Sequence, residues 1–132
     1  MSDNDQELDA LRRAMLCALP LLALGERAAA QDAAKMQPQT YRVAMENQRV
    51  RVLEFNSRPG MGVCGTGMHS HPAHLTVVLS NGTVRVRTPD GKVVEHTDIP
   101  LGTVFWEEAV THTVENIGGG DLRSLIVELK TV

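Results

Sequence analysis

The chain has 132 residues, which is enough for one domain. A hydrophobic fraction of 42%, a charged fraction of 22% and a formal net charge of −3 are ordinary for a globular protein. The sequence has neither a basic surplus nor a long run of one charge, which argues against nucleic acid as a partner. The composition favours a small-molecule ligand, a metal ion or a second copy of the chain.

The N-terminal residues have the pattern of an export signal. A polar, acidic start leads to Arg12-Arg13 and to an apolar stretch at residues 14–25. This stretch is too short for a transmembrane helix, which needs about 20 residues. Ala28 and Ala30 then supply the small side chains that precede a signal-peptidase cleavage site. The paired arginines resemble a twin-arginine signal. The alternative is an amphipathic helix that stays attached and packs on a partner.

We therefore predict an export signal peptide at residues 1–30, a linker at 31–40 and a folded domain at 41–132. The mature protein would be periplasmic or otherwise exported and free of the membrane, with the cytoplasm as the alternative location. Cleavage after residue 30 would remove Cys17 and leave Cys64 without an intrachain partner, so a disulfide framework is excluded.

The rest of the chain reads as short β-strands separated by turns. From Tyr41 onward, apolar and polar residues alternate with a period of two, as in strands that bury one face. The turn signals are Ser80-Asn81-Gly82, whose Asn-Gly pair favours a tight hairpin, Pro89-Asp90-Gly91, Pro100-Leu101-Gly102 and Gly118-Gly119-Gly120. Strands at this spacing with no helical stretch between them predict an antiparallel sandwich or barrel.

Four of the five histidines gather in two segments. His69 and His71 are two residues apart, and side chains at i and i+2 of a strand project from the same face, so both could bind one ion. His112, in a strand rich in valine and threonine, could supply a third ligand. The predicted cofactor is a divalent transition metal (Fe, Zn, Mn or Ni), because imidazole binds several such ions and does not identify one.

The other two histidines are interpreted differently. His74 has the wrong parity relative to His71, so it reaches the same ion only if Pro72 bends or bulges the strand. His96 lies in a polar stretch and is interpreted as a surface residue. Any single histidine would have a similar ordinary explanation, and it is the pair with a downstream partner that favours a metal.

These residues resemble the two sequence motifs of the cupin superfamily. The first motif pairs H-x-H with a downstream Glu and Gly, and the second has a Gly, a His and, four positions further, an Asn. The matching residues are His69, His71 and Gly82 in the first motif and Gly102, His112 and Asn116 in the second. The Glu position of the first motif falls at Leu75, which cannot bind a metal, and Glu108 and Val110 replace the usual Pro and Gly of the second. The resemblance covers about residues 42–130 and is nearest to small single-domain bacterial cupins, a branch with few assigned activities.

The resemblance implies an all-β cupin jelly roll, with two antiparallel sheets forming a small barrel and a metal inside near one end. Open edge strands would favour a homodimer. The metal ligands would be His69, His71 and His112, with His74 as a fourth ligand or as a group behind the first three. Three histidines with open coordination positions resemble the non-haem iron site of cupin thiol dioxygenases.

Three functional hypotheses follow for a protein of this kind. The first is a metal-dependent enzyme of the cell envelope, a dioxygenase-type oxidoreductase or an isomerase, whose small-molecule substrate takes the open metal positions. The second is a non-catalytic binding protein whose metal is structural or anchors a ligand. The third is a metal-free cupin whose histidines line a pocket. No carboxylate is firmly placed as a general base, which argues against hydrolysis and leaves redox chemistry.

Several neighbouring residues have an ordinary and a functional interpretation. Cys64 is interpreted as a small loop residue, with modification of the site as the alternative. Glu107 and Glu108 are interpreted as a solvated strand end, with acid or base catalysis at the barrel mouth as the alternative. Of Phe105 and Trp106, one is expected to pack in the barrel while the other faces outward, because adjacent strand residues point opposite ways.

Overall fold

The computed structural model describes residues 31–61 and 67–131, in which one short helix precedes nine strands. These are α1 (Ala33–Met36), β1 (Tyr41–Glu46), β2 (Val50–Ser57), β3 (His69–His71), β4 (His74–Val78), β5 (Gly82–Arg87), β6 (Val93–Ile99), β7 (Val104–Glu107), β8 (Val110–Asn116) and β9 (Leu122–Leu129). The predicted export signal at residues 1–30 and Cys64 lie outside the described residues. Within the described ranges, no helix has the length and apolar character needed to cross a membrane.

The strands form two antiparallel sheets around one interior. The five-stranded sheet has the order β1-β2-β9-β4-β7, and the four-stranded sheet has the order β3-β8-β5-β6. Leu53 and Phe55 of β2 and Leu122 and Ile126 of β9 are buried, each two or four residues from its neighbour, as the period of two requires. The predicted antiparallel jelly roll is confirmed.

The turns divide into hairpins and crossings between the sheets. Pro89-Asp90-Gly91 joins β5 to β6 as a hairpin, and Gly91 has a positive φ of 84°. The prediction of a hairpin at Ser80-Asn81-Gly82 is wrong, since this turn leads from β4 in one sheet to β5 in the other. The reason is that β4 already pairs with β7 on one side and β9 on the other, so neither edge remains for β5.

Gly82 is required by packing between the sheets. A Cβ atom at this position would lie 1.8 Å from Cδ2 of Leu122, which is a buried core residue on β9. Any side chain here would therefore displace Leu122. The glycine of the first motif marks a close approach of β5 to β9.

Residues 32–40, expected to be a linker, are instead packed into the fold. Asp32 caps α1 through its side chain, and Ala33 is fully buried in the core. The amide of Ser70 donates to the carbonyl of Gln31, so the segment runs beside β3. A segment this short has no periodicity from which the packing could have been recognised.

The hydrophobic core lies against the inner face of the five-stranded sheet. Its buried members are Ala33, Tyr41, Leu53, Phe55, Leu122 and Ile126. Burying a Leu- or Phe-sized side chain contributes about 1.5–3 kcal/mol, so this cluster stabilises the long β2–β9 pairing. Tyr41 links the core to the predicted metal ligands, because its ring contacts both Phe55 and His69.

Candidate metal centre

Three of the four histidines predicted to bind metal meet inside the barrel. Antiparallel pairing of β3 with β8 places His69 directly opposite His112, and His71 follows two residues along the same face. All three side chains are buried. One ring nitrogen from each lies within 4.8 Å of the others, which is close enough for all three to share a single ion. We call His69, His71 and His112 the histidine triad.

The hydrogen bonds of His69 define which of its nitrogens carries the proton. Nδ1 is 2.7 Å from the carbonyl of Gly67 and must donate to it, so Nε2 keeps its lone pair. The Tyr41 hydroxyl lies 3.0 Å from this Nε2 and donates to it. Burial, followed by the nearby carboxylates of Glu107 and Glu128, raises the pKa of Tyr41, so the phenol stays protonated.

His71 is oriented by a buried carboxylate. Its Nδ1 lies 2.8 Å from Oε1 of Glu128, which is 2% exposed, and therefore donates to it. Nε2 of His71 points into the site and has no hydrogen-bond partner among the described residues. A carboxylate behind a histidine fixes the tautomer and makes the opposite nitrogen a better metal ligand.

Glu128 belongs to a chain of ion pairs that reaches the N-terminal segment. Arg51 donates to Oε2 of Glu128 at 2.7 Å through Nε and to the carboxylate of Asp32 through its other end. Burial raises the pKa of Asp32, but the hydrogen bond and charge of Arg51 outweigh this effect and lower it. Asp32, Arg51, Glu128 and His71 form one connected series, which we call the carboxylate relay.

Sequence patterns did not identify Glu128 as a site residue, because it occupies an alternating polar position of β9. Such a position is usually solvent-exposed. Its burial follows from the pairing of Glu128 with Arg51 in the β2–β9 register and with His74 in the β4–β9 register. No local signal in the chain distinguishes it from an exposed glutamate.

His112 is the least satisfied of the three imidazoles. Neither ring nitrogen has a hydrogen-bond partner in the part of the chain that the structure describes. Burial, followed by the proximity of His69 and His71, whose imidazoles would compete with His112 for a positive charge, lowers the pKa of His112 to about 3. The ring is therefore neutral at ordinary pH and offers a lone pair.

The triad fits a transition-metal ion. Leaving a buried polar atom unpaired costs about 1–3 kcal/mol, and His71 and His112 together present three such nitrogens. Neutral imidazoles in contact are also the donor set that zinc and the neighbouring divalent metals prefer. An ion bound by His69, His71 and His112 would satisfy Nε2 of His71 and one of the two nitrogens of His112.

His74 lies beside the triad but is held by other partners. It faces the interior because β3 ends before Pro72 and β4 begins after it in the other sheet, which supplies the bend that its parity required. Its ring centroid is 5.0 Å from that of His71. Nδ1 lies 2.7 Å from the Pro72 carbonyl and Nε2 lies 2.9 Å from Oε2 of Glu107, so both nitrogens face acceptors.

The ion pair of His74 and Glu107 accounts for the pKa shift of each residue. Burial lowers the pKa of His74, but its hydrogen bonds to Glu107 and to the Pro72 carbonyl outweigh this effect and raise it. The hydrogen bond from His74 lowers the pKa of Glu107 in turn. Glu107 is half-buried and faces inward, unlike the solvated residue that the sequence predicted, whereas Glu108 is exposed and accepts from the Trp106 indole.

Leu75 occupies the position at which the first cupin motif has a glutamate. Leu75 alternates with the buried residues His74 and Thr76 and faces outward. Thr76 is the inward residue at this level and lines the interior. The parity of β4 therefore excludes Leu75 from the site independently of its chemistry.

A cavity of about 450 Å³ opens beside the triad, a volume in the range of small-molecule sites. His71, His112, His74 and Glu107 form part of its wall. The apolar part of the wall consists of Phe55, Val78, Val84, Val86, Ile99, Phe105, Val114, Leu122 and Ile126. His96, expected at the surface, is exposed but also reaches the cavity. Phe105 lines the cavity and Trp106 faces outward, which confirms the expected division between them.

Solved cupin structures have a similar fold. A cupin-domain protein from Bordetella pertussis matches with a TM-score of 0.60 and 29% sequence identity, over 69% of this chain and 92% of that one. An RmlC-like cupin family protein with a double-stranded β-helix fold, from Methanocaldococcus jannaschii, matches with a TM-score of 0.54 and 11% identity, over 68% and 78%. A cupin superfamily protein from Desulfitobacterium hafniense matches with a TM-score of 0.51 and 15% identity, over 69% and 76%.

No protein-family model and no curated protein sequence matches the chain. The similarity to cupins rests instead on the fold, on the relative from Bordetella pertussis and on the histidines of the two motifs, which the fold brings to one site. The chain has a cupin fold, and its similarity to the protein from Bordetella pertussis supports a small bacterial cupin.

Proposed function

We propose that this cupin is a metal-dependent enzyme of the non-haem iron type, an oxidoreductase acting on a small molecule. The observation that carries the proposal is the set of three unpaired nitrogens on His71 and His112, buried at the wall of a ligand-sized cavity. Structural metal sites close all coordination positions with protein ligands, whereas catalytic sites keep a position open. A histidine triad beside a cavity leaves a coordination position open, as a catalytic site does.

The protein residues around the triad would orient ligands and exclude water. Glu128 holds His71 with its free nitrogen toward the site, and Tyr41 keeps a neutral hydroxyl beside His69. Glu107 is occupied by His74 and does not stand as a free general base. Bound iron would supply the redox chemistry, which needs no carboxylate base, and this supports an oxidoreductase over a hydrolase.

Metal content of the full chain, purified without an affinity tag, tests the proposal. We expect close to one iron per chain by inductively coupled plasma mass spectrometry, and less than about a tenth of that in a His69→Ala/His112→Ala variant. His96→Ala removes a histidine of the same protein that lies outside the triad and should retain the metal. Circular dichroism of each variant separates loss of ligands from loss of fold.

The alternative function is a non-catalytic binding protein whose metal anchors a ligand. The redox-inactive ion zinc, bound at one equivalent through the same residues, would support that alternative. Absence of any metal in the wild type after reconstitution with Fe, Zn, Mn or Ni would contradict both functions. The histidines would then only line a pocket.

A further inference from the structure

The interior of the barrel is layered, because each strand contributes every second side chain to it. In the five-stranded sheet the first layer is polar, with Arg51, Glu128, His74 and Glu107 side by side in register. The triad joins this layer, since the ring centroids of His71 and His74 are 5.0 Å apart. Metal ligands and charges are therefore confined to one level of the barrel.

The second layer carries no charge on either sheet and is apolar apart from Thr76. Two residues further along the strands, Thr76 pairs with Phe105 and with Ile126. In the four-stranded sheet, Val114 pairs with Val86 at the corresponding level of β8. All five side chains line the cavity, and we call them the apolar collar. Two strand residues rise about 7 Å, so a ligand whose head reaches the triad passes directly into the collar.

The cavity has little with which to bind charge beyond the first layer. No lysine or arginine is among its described lining residues. The hydroxyls of Ser80 and Thr103 donate to backbone carbonyls, which leaves the uncharged hydroxyls of Thr76 and Ser124. His96 lies one layer beyond the collar, paired with Val84. A charged or polyhydroxylated part of a ligand would lose its bound water on entering this region without gaining hydrogen-bond or ion-pair partners, which is unfavourable.

We infer that the ligand of this site joins an uncharged, apolar body to a single metal-binding oxygen or sulfur group. The head would reach the triad, and the aromatic or aliphatic body would fill the collar. This inference rests on the proposed function, because the head needs a metal to bind. The same lining, which has no lysine or arginine, disfavours a phosphorylated or dicarboxylic body, and its few hydroxyls disfavour a sugar-like one.

Three hydroxamates that share one metal-binding head and differ in body test the inference. The full chain is loaded with cobalt(II), whose visible spectrum reports a change of ligands, and titrated with acetohydroxamate, benzohydroxamate and the monohydroxamate of succinate. Benzohydroxamate should bind about 10- to 100-fold more tightly than acetohydroxamate, as expected from burying a phenyl ring. The succinate derivative should bind more weakly than acetohydroxamate. Titration of free cobalt(II) corrects for differences between the heads.

Two collar variants and one outward variant locate the preference. Val114→Phe narrows the collar and Phe105→Gln makes it polar, so each should reduce the preference for benzohydroxamate at least five-fold. Val104→Phe is the matched control, because Val104 is exposed on the outer face of β7 beside Phe105. It should keep the wild-type preference. Cobalt loading of each variant shows that the triad is still formed.

The outcomes separate this inference from the proposed function. Equal affinity for the three hydroxamates on cobalt-loaded wild type would overturn the apolar body while leaving the metal site intact. A preference that Val114→Phe and Phe105→Gln both leave unchanged would also overturn it, since the phenyl ring would then bind elsewhere. Failure of the wild type to take up cobalt would overturn the proposed function and the inference with it.

Discussion

At the level of the histidine triad, the two faces of the five-stranded sheet are reversed relative to an ordinary sheet. The inner face carries a buried polar layer, in which Glu128 is 2% and His74 is 1% exposed. The outer face carries a continuous apolar row that crosses all five strands in register. The row consists of Met45, Val52, Val127, Leu75 and Trp106. Trp106 remains 46% exposed and Met45 48% exposed.

The difference shows what each face is for. A buried polar group is tolerated when it is paired, and the inner residues are paired with one another through the carboxylate relay and the Glu107–His74 contact. An exposed apolar row has no such compensation, and contiguous patches of this kind mark interaction surfaces. The inner polar layer surrounds the histidine triad, whereas the outer row is an apolar patch of the kind that interaction surfaces carry.

The largest effect is expected from breaking the inner pairing at Glu128. Glu128→Gln leaves the buried end of Arg51 short of a countercharge, so the free energy of unfolding should fall by about 3 kcal/mol. Loss of the carboxylate behind His71 should also weaken metal binding about 10- to 100-fold. Urea unfolding and competition with a chelator measure the two effects separately.

Glu54→Gln is the control on the outer face of the same sheet. Glu54 pairs with Arg42, whose side chain is 73% exposed, and exposed pairs add little stability. Unfolding and metal affinity should both stay close to the wild-type values. Equal losses in Glu128→Gln and Glu54→Gln would show that the two faces do not differ as described.

A smaller effect is expected from charging the outer row. We propose that a homodimer would use this face rather than the open edge strands that the sequence suggested, because the central row of the face carries no charge that would oppose a second copy. Trp106→Lys should cost the dimer about 2 kcal/mol, which raises its dissociation constant about 30-fold, and should leave metal content unchanged. Sedimentation velocity measures the association.

Val93→Lys provides the comparison, since Val93 is an equally exposed apolar residue of the other sheet. Val93→Lys should leave the dissociation constant of the dimer at its wild-type value. A wild-type protein that sediments as a monomer at micromolar concentration would contradict the homodimer. The apolar row would then require a different partner.

The smallest effect concerns pH and the far end of the carboxylate relay. Arg51 lowers the pKa of Asp32 below its ordinary value of 3.8, in spite of the opposing effect of burial. A carboxyl with a depressed folded pKa stabilises the fold above its unfolded pKa, and the contribution disappears as the pH falls through the folded pKa. Wild type should therefore exceed Asp32→Asn in unfolding free energy by under about 1 kcal/mol at pH 7, and this difference should shrink as the pH falls below 3.8.

Urea unfolding at pH 7, 5, 4, 3 and 2 measures this difference. Asp121→Asn removes a carboxylate from an exposed position and serves as the control for the change in net charge. If the difference in unfolding free energy between wild type and Asp32→Asn is the same at every pH, Asp32 does not act through its charge on Arg51.

Local patterns were enough for the strands and for the ligand candidates. Alternation with a period of two predicted β2, β5 and β9, and the i, i+2 rule correctly placed His69 and His71 on one face. Both inferences need only neighbouring residues, because strand geometry is set by the backbone. The turn at Ser80-Asn81-Gly82 was misread because a turn sequence does not say whether the next strand finds a free edge.

The sequence by itself determined the all-β architecture, the histidines that meet and the glycine that motif spacing singled out. Only the tertiary structure decided that Glu128, Arg51 and Asp32 stand behind His71, and that His74 turns to Glu107. These residues are far apart along the chain and meet through the registers of β9 with β2 and β4 and of β4 with β7. Alternation reveals that a strand has two faces, but only packing of the two sheets selects which face is buried.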